Sequence, residues 1–119
     1  MNEHKDNPIL IKTFDFALKV VTLVREVQSE KKELVLTKQL LRSGTSIGAN
    51  AEEAIGGISK KDFIHKLTIS YKEARETKYW LRLLKESDLI EEEKAIDLLK
   101  DCEEILKILF SIIRSSKNI

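Results

Sequence analysis

Glycine and proline, which interrupt regular backbone, occupy few positions in this chain. Its one proline is Pro8, and its four glycines all fall between Gly44 and Gly57. The remainder can run as long helix, and its apolar residues recur at the helical period of about 3.6. The exception to weigh is LLRSGTSIGANAEEAIGGISKKDF (40–63), whose GTSIG and GG resemble loops that cradle a phosphate. Such a loop needs glycines between a strand and a helix, with a Lys-Ser/Thr pair after them. No strand pattern precedes Gly44, and Gly48 is followed by Ala-Asn. The line Leu36, Leu40, Gly44, Ile47, Ala51, Ala54, Ile58 instead crosses the segment in unbroken helical phase. A helix is therefore expected, with Gly44, Gly48 and the neighbouring Ser43, Ala49 and Ala51 forming a low-profile surface. That surface is expected to face Ser70, Ala74 and Thr77 of the next helix. Two mid-helix glycines cost about 1 kcal/mol each against alanine, so close packing must offset them.

Four helices are expected, over about 8–28, 34–56, 60–86 and 91–116. Asn7 and Pro8 supply an N-cap and a first-turn proline for the first. Two apolar lines follow, one through Leu10, Phe14, Ala17, Val21 and Val24, the other through Ile9, Phe16, Val20, Leu23 and Val27. Polar residues are left one narrow stripe, Lys12, Asp15, Lys19, Thr22 and Glu26, so this helix has more apolar surface than one bundle face needs. SEKKE (29–33) reads as a charged connection, and Gly56-Gly57 as a stop in the left-handed cap conformation. Ser59 and Asp62 have capping-box spacing. The third helix points Phe63, Leu67, Ser70, Ala74, Thr77, Leu81 and Leu84 inward. Glu91, Glu92 and Glu93 open the fourth, whose inner line is Ala95, Leu99, Cys102, Leu106, Leu109 and Ile113. Ile105, Ile108, Phe110 and Ile112 lie off that line, a second apolar surplus. Short connections favour an all-α, antiparallel up-down-up-down four-helix bundle. It is expected to be one domain spanning 1–119, with loose ends at 1–6 and 117–119.

The chain offers little for catalysis or metal binding. The helical carboxylate metal motif uses Glu-x-x-His pairs; neither His4 nor His65 stands three residues after a glutamate. Ser43, Thr45 and Ser46 lack a base placed by a third group. Cys102 is the one cysteine, on an inner line, which excludes an intrachain disulfide and fits a reducing cytoplasm. No apolar run approaches the ~20 residues that span a bilayer, and MNEHKDNP lacks the layout of a signal peptide. No enzyme, no cofactor, no metal and no membrane contact are the expectations. The polar line Gln39, Ser43, Ser46, Asn50 and Glu53, with Glu73, Glu76 and Trp80 on a matching flank of the third helix, reads as an interhelical hydrogen-bond network.

The formal net charge of +1 hides an asymmetry. Lys61, His65, Thr68, Lys72, Arg75, Tyr79 and Arg82 share the outward face of the third helix, and no acid interrupts them before Glu86. Lys60, Lys78 and Lys85 flank this stripe, which is about 30 Å long at a rise of about 1.5 Å per residue. Clustered cations with a stackable ring are the footprint of an RNA- or DNA-binding face. The same stripe also suits a subunit contact with the acidic outer line Glu93, Asp97 and Glu104, or plain solvation. Surplus apolar surface on the first and last helices predicts a homo-oligomer.

The runs QLLRSGTSIGANAEEA, SKKDFIHKL and SYKEARETKYWLRLL, together about 39–84, resemble the bacterial four-helix bundle proteins named for the intervening sequences of 23S ribosomal RNA. The resemblance implies an up-down bundle assembled as a ring, a pentamer. It implies shared polar positions at Gln39, Arg42, Ser46, Asn50, Glu53 and Glu76, with Glu73 where many relatives carry a small residue. The family name suggests association with RNA. The chain is also similar to the accessory protein of diversity-generating retroelements, a basic pentamer. That similarity implies the alternative of a scaffold that binds a protein partner such as a reverse transcriptase.

Overall fold

The computed structural model describes residues 7–117, which form α1 (Pro8–Lys31), α2 (Val35–Ile55), α3 (Lys60–Glu86) and α4 (Glu92–Lys117). The tails expected to be loose, 1–6 and 118–119, lie outside the described residues, and Lys117 is the last residue of α4. α1 packs on α2 and α4, and α3 packs on the same two. Consecutive helices run antiparallel, up-down-up-down, in a rod of 47 × 28 × 22 Å. Of the four seams, α1–α4 is the loosest.

The helix starts follow from local chemistry. Asn7 Oδ1 accepts from the backbone N–H of Ile9 at 3.1 Å and of Leu10 at 3.4 Å. Ser59 Oγ accepts from the N–H of Asp62 at 3.0 Å. α1 continues beyond its expected end at 28, because exposed Ser29, Glu30 and Lys31 carry no signal against helix. The turn comes at Lys32, in the left-handed conformation with φ 58. The rest of SEKKE caps α2: the Glu33 carboxylate accepts from the N–H groups of Val35 (3.1 Å), Leu36 (2.9 Å) and Thr37 (3.0 Å). These are donors that a helix start leaves without partners.

The end of α2 differs from expectation. Among the described residues no glycine has positive φ, and Gly56 sits at φ −84, ψ 4. The N–H groups of Gly56 and Gly57 donate back to the carbonyls of Glu52 (3.2 Å) and Ala54 (3.0 Å). Gly57 is needed for room rather than conformation: a Cβ there would lie 2.7 Å from Asp62 Oδ2 and 3.0 Å from the Ala54 carbonyl oxygen.

GTSIG is helical, as its phase requires, but its glycines dock on α1 and not on α3. A Cβ on Gly44 would stand 2.9 and 3.0 Å from the two methyls of Val20, and one on Gly48 3.3 Å from Thr13 Oγ1. The line beside them, Ser43 and Ile47, faces α3. There the Thr77 hydroxyl hydrogen-bonds the Ser43 hydroxyl at 2.9 Å, and Ser70 Oγ donates to the Ile47 carbonyl at 2.7 Å. α2 is therefore small on two adjacent faces, which lets both neighbours approach it. Of the small surface expected against α3, Ser43 meets Thr77 there, while Ser70 meets the Ile47 backbone and the two glycines turn to α1.

On α1 the buried line is Ile9, Phe16, Val20, Leu23 and Val27, joined by Leu10 and Val24. Phe14 of the other line stays 61% exposed, beside Ile11 and Leu18 at 45% and 53%. α4 is rotated from its expected setting: Ala95, Leu98, Cys102, Ile105 and Leu109 are buried, while Leu99, Leu106 and Ile113 are half-buried. Ile105, expected outside the core, has 0% exposure. Paired apolar positions such as 98/99 and 105/106 fit either rotation; the observed one lets α4 carboxylates reach lysines on α1.

Candidate nucleic-acid interface

The phase that buries Leu67, Ser70, Ala74, Thr77, Leu81 and Leu84 turns Lys61, His65, Lys72, Arg75, Tyr79 and Arg82 to solvent on the far side of α3. All six are exposed, and Thr68 between them is half-buried. Among the described residues Lys61, Lys72, Arg75 and Arg82 make no ion pair, nor does flanking Lys60, whereas neighbouring Lys66, Lys78 and Lys85 do. Lys66 meets Glu53 at 2.8 Å, Lys78 meets Glu103 at 2.7 Å, and Lys85 meets Glu86 at 3.3 Å. The stripe is thus a row of cations with no internal counter-charge.

The acidic outer line of α4 is mostly consumed within the chain. Asp97 and Asp101 hold Lys19 at 3.2 and 2.7 Å, Glu104 holds Lys12 at 2.6 Å, and Lys94 reaches back to Glu26 at 3.0 Å. These pairs close the loose α1–α4 seam. The Asp101 hydrogen bond, ahead of that from Asp97, holds the Lys19 ammonium above its ordinary range. Lys12 holds the Glu104 carboxyl below its own. With Asp97 and Glu104 so engaged, only exposed Glu93 of that line is left to meet the α3 stripe of another copy.

A groove of about 590 Å³ lies along the stripe, between α3 and α4. α3 supplies Tyr71, Arg75, Tyr79 and Arg82; α4 supplies Leu106, Lys107 and Phe110. The Tyr71 and Phe110 rings stand 6.2 Å apart at 44°, and Tyr79 stands edge-on to Trp80 at 5.1 Å. The α4 contributors were not anticipated, since only tertiary pairing puts them beside the stripe. Their one sequence signal was that 103, 106, 107 and 110 share a helix face.

The polar residues between α2 and α3 are brought together only in part. Arg42 Nη2 donates to Glu76 Oε2 at 2.6 Å, Arg42 Nη1 lies 3.8 Å from Glu73 Oε1, and Trp80 Nε1 donates to Glu76 Oε2 at 3.0 Å. Ser46 and Asn50 bond their own helix instead, donating to the carbonyls of Arg42 (2.6 Å) and Ser46 (2.8 Å). Short polar side chains in mid-helix reach the carbonyl one turn back more readily than a neighbouring helix. Glu53 pairs with Lys66, and half-buried Gln39 takes no part among the described residues. Cys102 donates its S–H to the Ala74 carbonyl at 3.2 Å, and burial pushes its thiol up to about 12. A thiol so placed stays protonated, which makes it a poor nucleophile. No described helix is long and apolar enough to cross a membrane.

Comparison with known proteins places this geometry. The family model for 23S rRNA-intervening sequence protein matches residues 5–111. A crystal structure of a Bacteroides thetaiotaomicron protein of unknown function, from the S23 ribosomal protein family, is similar at a TM-score of 0.87 and 48% identity. The match covers 88% of this chain and 97% of that one. No curated protein matches the chain.

Proposed function

The chain belongs to the 23S rRNA-intervening sequence protein family, and on that premise we propose that it is a non-enzymatic, homo-oligomeric protein that binds the phosphate backbone of RNA or DNA through the outward face of α3. The observation that carries this reading is the contrast in pairing: Lys61, Lys72, Arg75 and Arg82 are unpaired among the described residues, while Lys66, Lys78 and Lys85 beside them are neutralised. A charge already held by a carboxylate gains little from a phosphate. A solvated one releases the polyanion's counterions when it docks. The stripe is straight and about 30 Å long, so it tracks a backbone without reading base sequence, and weak sequence selectivity follows.

Exposed Ile11, Phe14 and Leu18 on α1 support the oligomeric part; of the surplus expected on α4, Ile105 lies in the core, Ile108 and Ile112 are half-buried, and Phe110 lines the groove against α3. A ring of copies, five by the resemblance noted above, repeats the stripe and turns weak contacts into avidity. The test is fluorescence anisotropy with a labelled RNA strand, comparing the parent with Lys72→Gln/Arg75→Gln/Arg82→Gln. Affinity should collapse in the triple variant. Each lost contact should also flatten the slope of log affinity against log salt by about 0.7. Unchanged affinity in a folded triple variant would remove the assignment. Light scattering that gives a monomer at micromolar concentration would remove the oligomer.

A further inference from the structure

From the groove between α3 and α4 we infer a more specific ligand, resting on the α3 reading above: single-stranded nucleic acid, with bases laid on the Phe110–Tyr71 floor and phosphates held along its rims. The floor is aromatic and accessible. Phe110 is 53% exposed and Tyr79 54% exposed, and Leu106 continues the apolar surface between the helices. Three cations free of an ion pair among the described residues surround it, Arg75 and Arg82 from α3 and Lys107 from α4. The one carboxylate in the groove, Glu103, is held by Lys78 at 2.7 Å, which blunts its repulsion of a phosphate. Charge complementarity therefore selects an anion, and the ring faces select one with flat apolar surfaces to offer.

A duplex does not meet both conditions. Its phosphates are available, but its base faces are stacked on each other and only their edges show in the grooves. A single strand presents phosphates and unstacked faces together, and stacking on aromatic side chains is the common way such strands are held without sequence preference. The groove runs from Tyr71 to Arg82, about 16 Å along α3, or about five nucleotides at the ~3.4 Å rise of a stacked strand. The Tyr71 and Phe110 rings are 6.2 Å apart and tilted by 44°, too close to admit a base between them, so a base lies on the exposed face of Phe110.

The experiment uses the full chain and three labelled DNA probes of equal length: an oligothymidine strand, an abasic strand with the same phosphates, and a duplex. Anisotropy titrations should show the thymidine strand binding about ten-fold or more tightly than either of the others. Phe110→Leu keeps an apolar side chain on a half-exposed site, and should lower affinity for the thymidine strand by about five-fold or more. It should leave the abasic strand unchanged. Lys107→Gln should weaken all probes alike. If the duplex or the abasic strand binds as tightly as the thymidine strand, the base-stacking groove is wrong while the α3 phosphate contact stands. The groove is equally wrong if a folded Phe110→Leu protein loses no affinity for the thymidine strand. Binding of none of the three probes would remove the α3 reading as well.

Discussion

Gly44→Ala is a sharp test of how the bundle is packed. The added methyl would lie 2.9 Å from Val20 Cγ1, 3.0 Å from Cγ2 and 3.3 Å from Cβ. Val20 has 0% exposure, and a β-branched side chain in a helix has essentially one rotamer, so it cannot swing aside. Forcing a methyl into such a site costs about 1–3 kcal/mol, while alanine gains about 1 kcal/mol over glycine in helix propensity. The net is a destabilisation of about 1 kcal/mol, or a Tm lower by about 4 °C for a domain of this size. Gly48→Ala is the internal control. Its methyl would stand 3.3 Å from Thr13 Oγ1 and 3.4 Å from the Thr13 carbonyl oxygen, so a shift of tenths of an ångström suffices and the change should be near neutral. Val20→Ala creates the missing room, and in that background Gly44→Ala should become stabilising by up to about 1 kcal/mol. Urea unfolding followed by circular dichroism, at one protein concentration, supplies all corners of the cycle, with a coupling of about 1–3 kcal/mol. Additive effects, or a Gly44→Ala protein more stable than the parent, would refute the docking of these glycines on α1.

Cys102 should resist alkylation at pH 8 in the folded protein and react at once in denaturant, because burial holds its thiol protonated up to about 12; labelling rate against urea concentration is the readout. The carboxyls of Glu103 and Glu104 are held below their ordinary 4.5, mainly by the Lys78 ammonium 2.7 Å from Glu103 and the hydrogen bond from Lys12 to Glu104. A depressed carboxyl contributes fully above the unfolded value and loses its contribution as pH falls through the folded one. The urea midpoint should therefore decline below pH ~4.5, less steeply in a Glu103→Gln/Glu104→Gln variant, and only modestly since Glu104 is exposed and Glu103 half-buried. Ser70→Ala removes the interhelical donor to the Ile47 carbonyl, which keeps its own helical hydrogen bond, and should cost about 0.5–1.5 kcal/mol by the same unfolding assay.

Some of this molecule was legible in the residue order, and some was not, for physical reasons. Asn7-Pro8 and Ser59-x-x-Asp62 announce helix starts because capping is local chemistry. The inner line of α3 was readable except for half-buried Phe63, since few other positions on that helix compete to be inside. On α4 the expected Ala95, Cys102 and Leu109 are buried, but Leu98 and Ile105 lie inside in place of Leu99 and Leu106, because the members of each pair are equally apolar. Which of each pair lies inside is decided by packing against the neighbouring helices, a tertiary fact; the observed setting also brings Asp97, Asp101 and Glu104 within reach of α1. α2 was placed correctly as helix, yet helical phase alone does not say which neighbour a small residue meets. The end of α1 was set too early because a solvated turn has no period to read. At the proposed interface, the α3 stripe is visible in the sequence as an exposed cationic phase. Lys107 and Phe110 became visible only when α4 was laid beside it.

Photo-crosslinking with peptide mapping asks directly where a bound strand lies. A thiothymidine-bearing oligonucleotide, irradiated with the full chain at low salt and digested, should mark peptides from α3 around Arg75, Tyr79 and Arg82 and from α4 around Lys107 and Phe110. Adducts confined to the Ile11–Phe14–Leu18 face of α1, or spread evenly over the four helices, would contradict the placement of nucleic acid on α3.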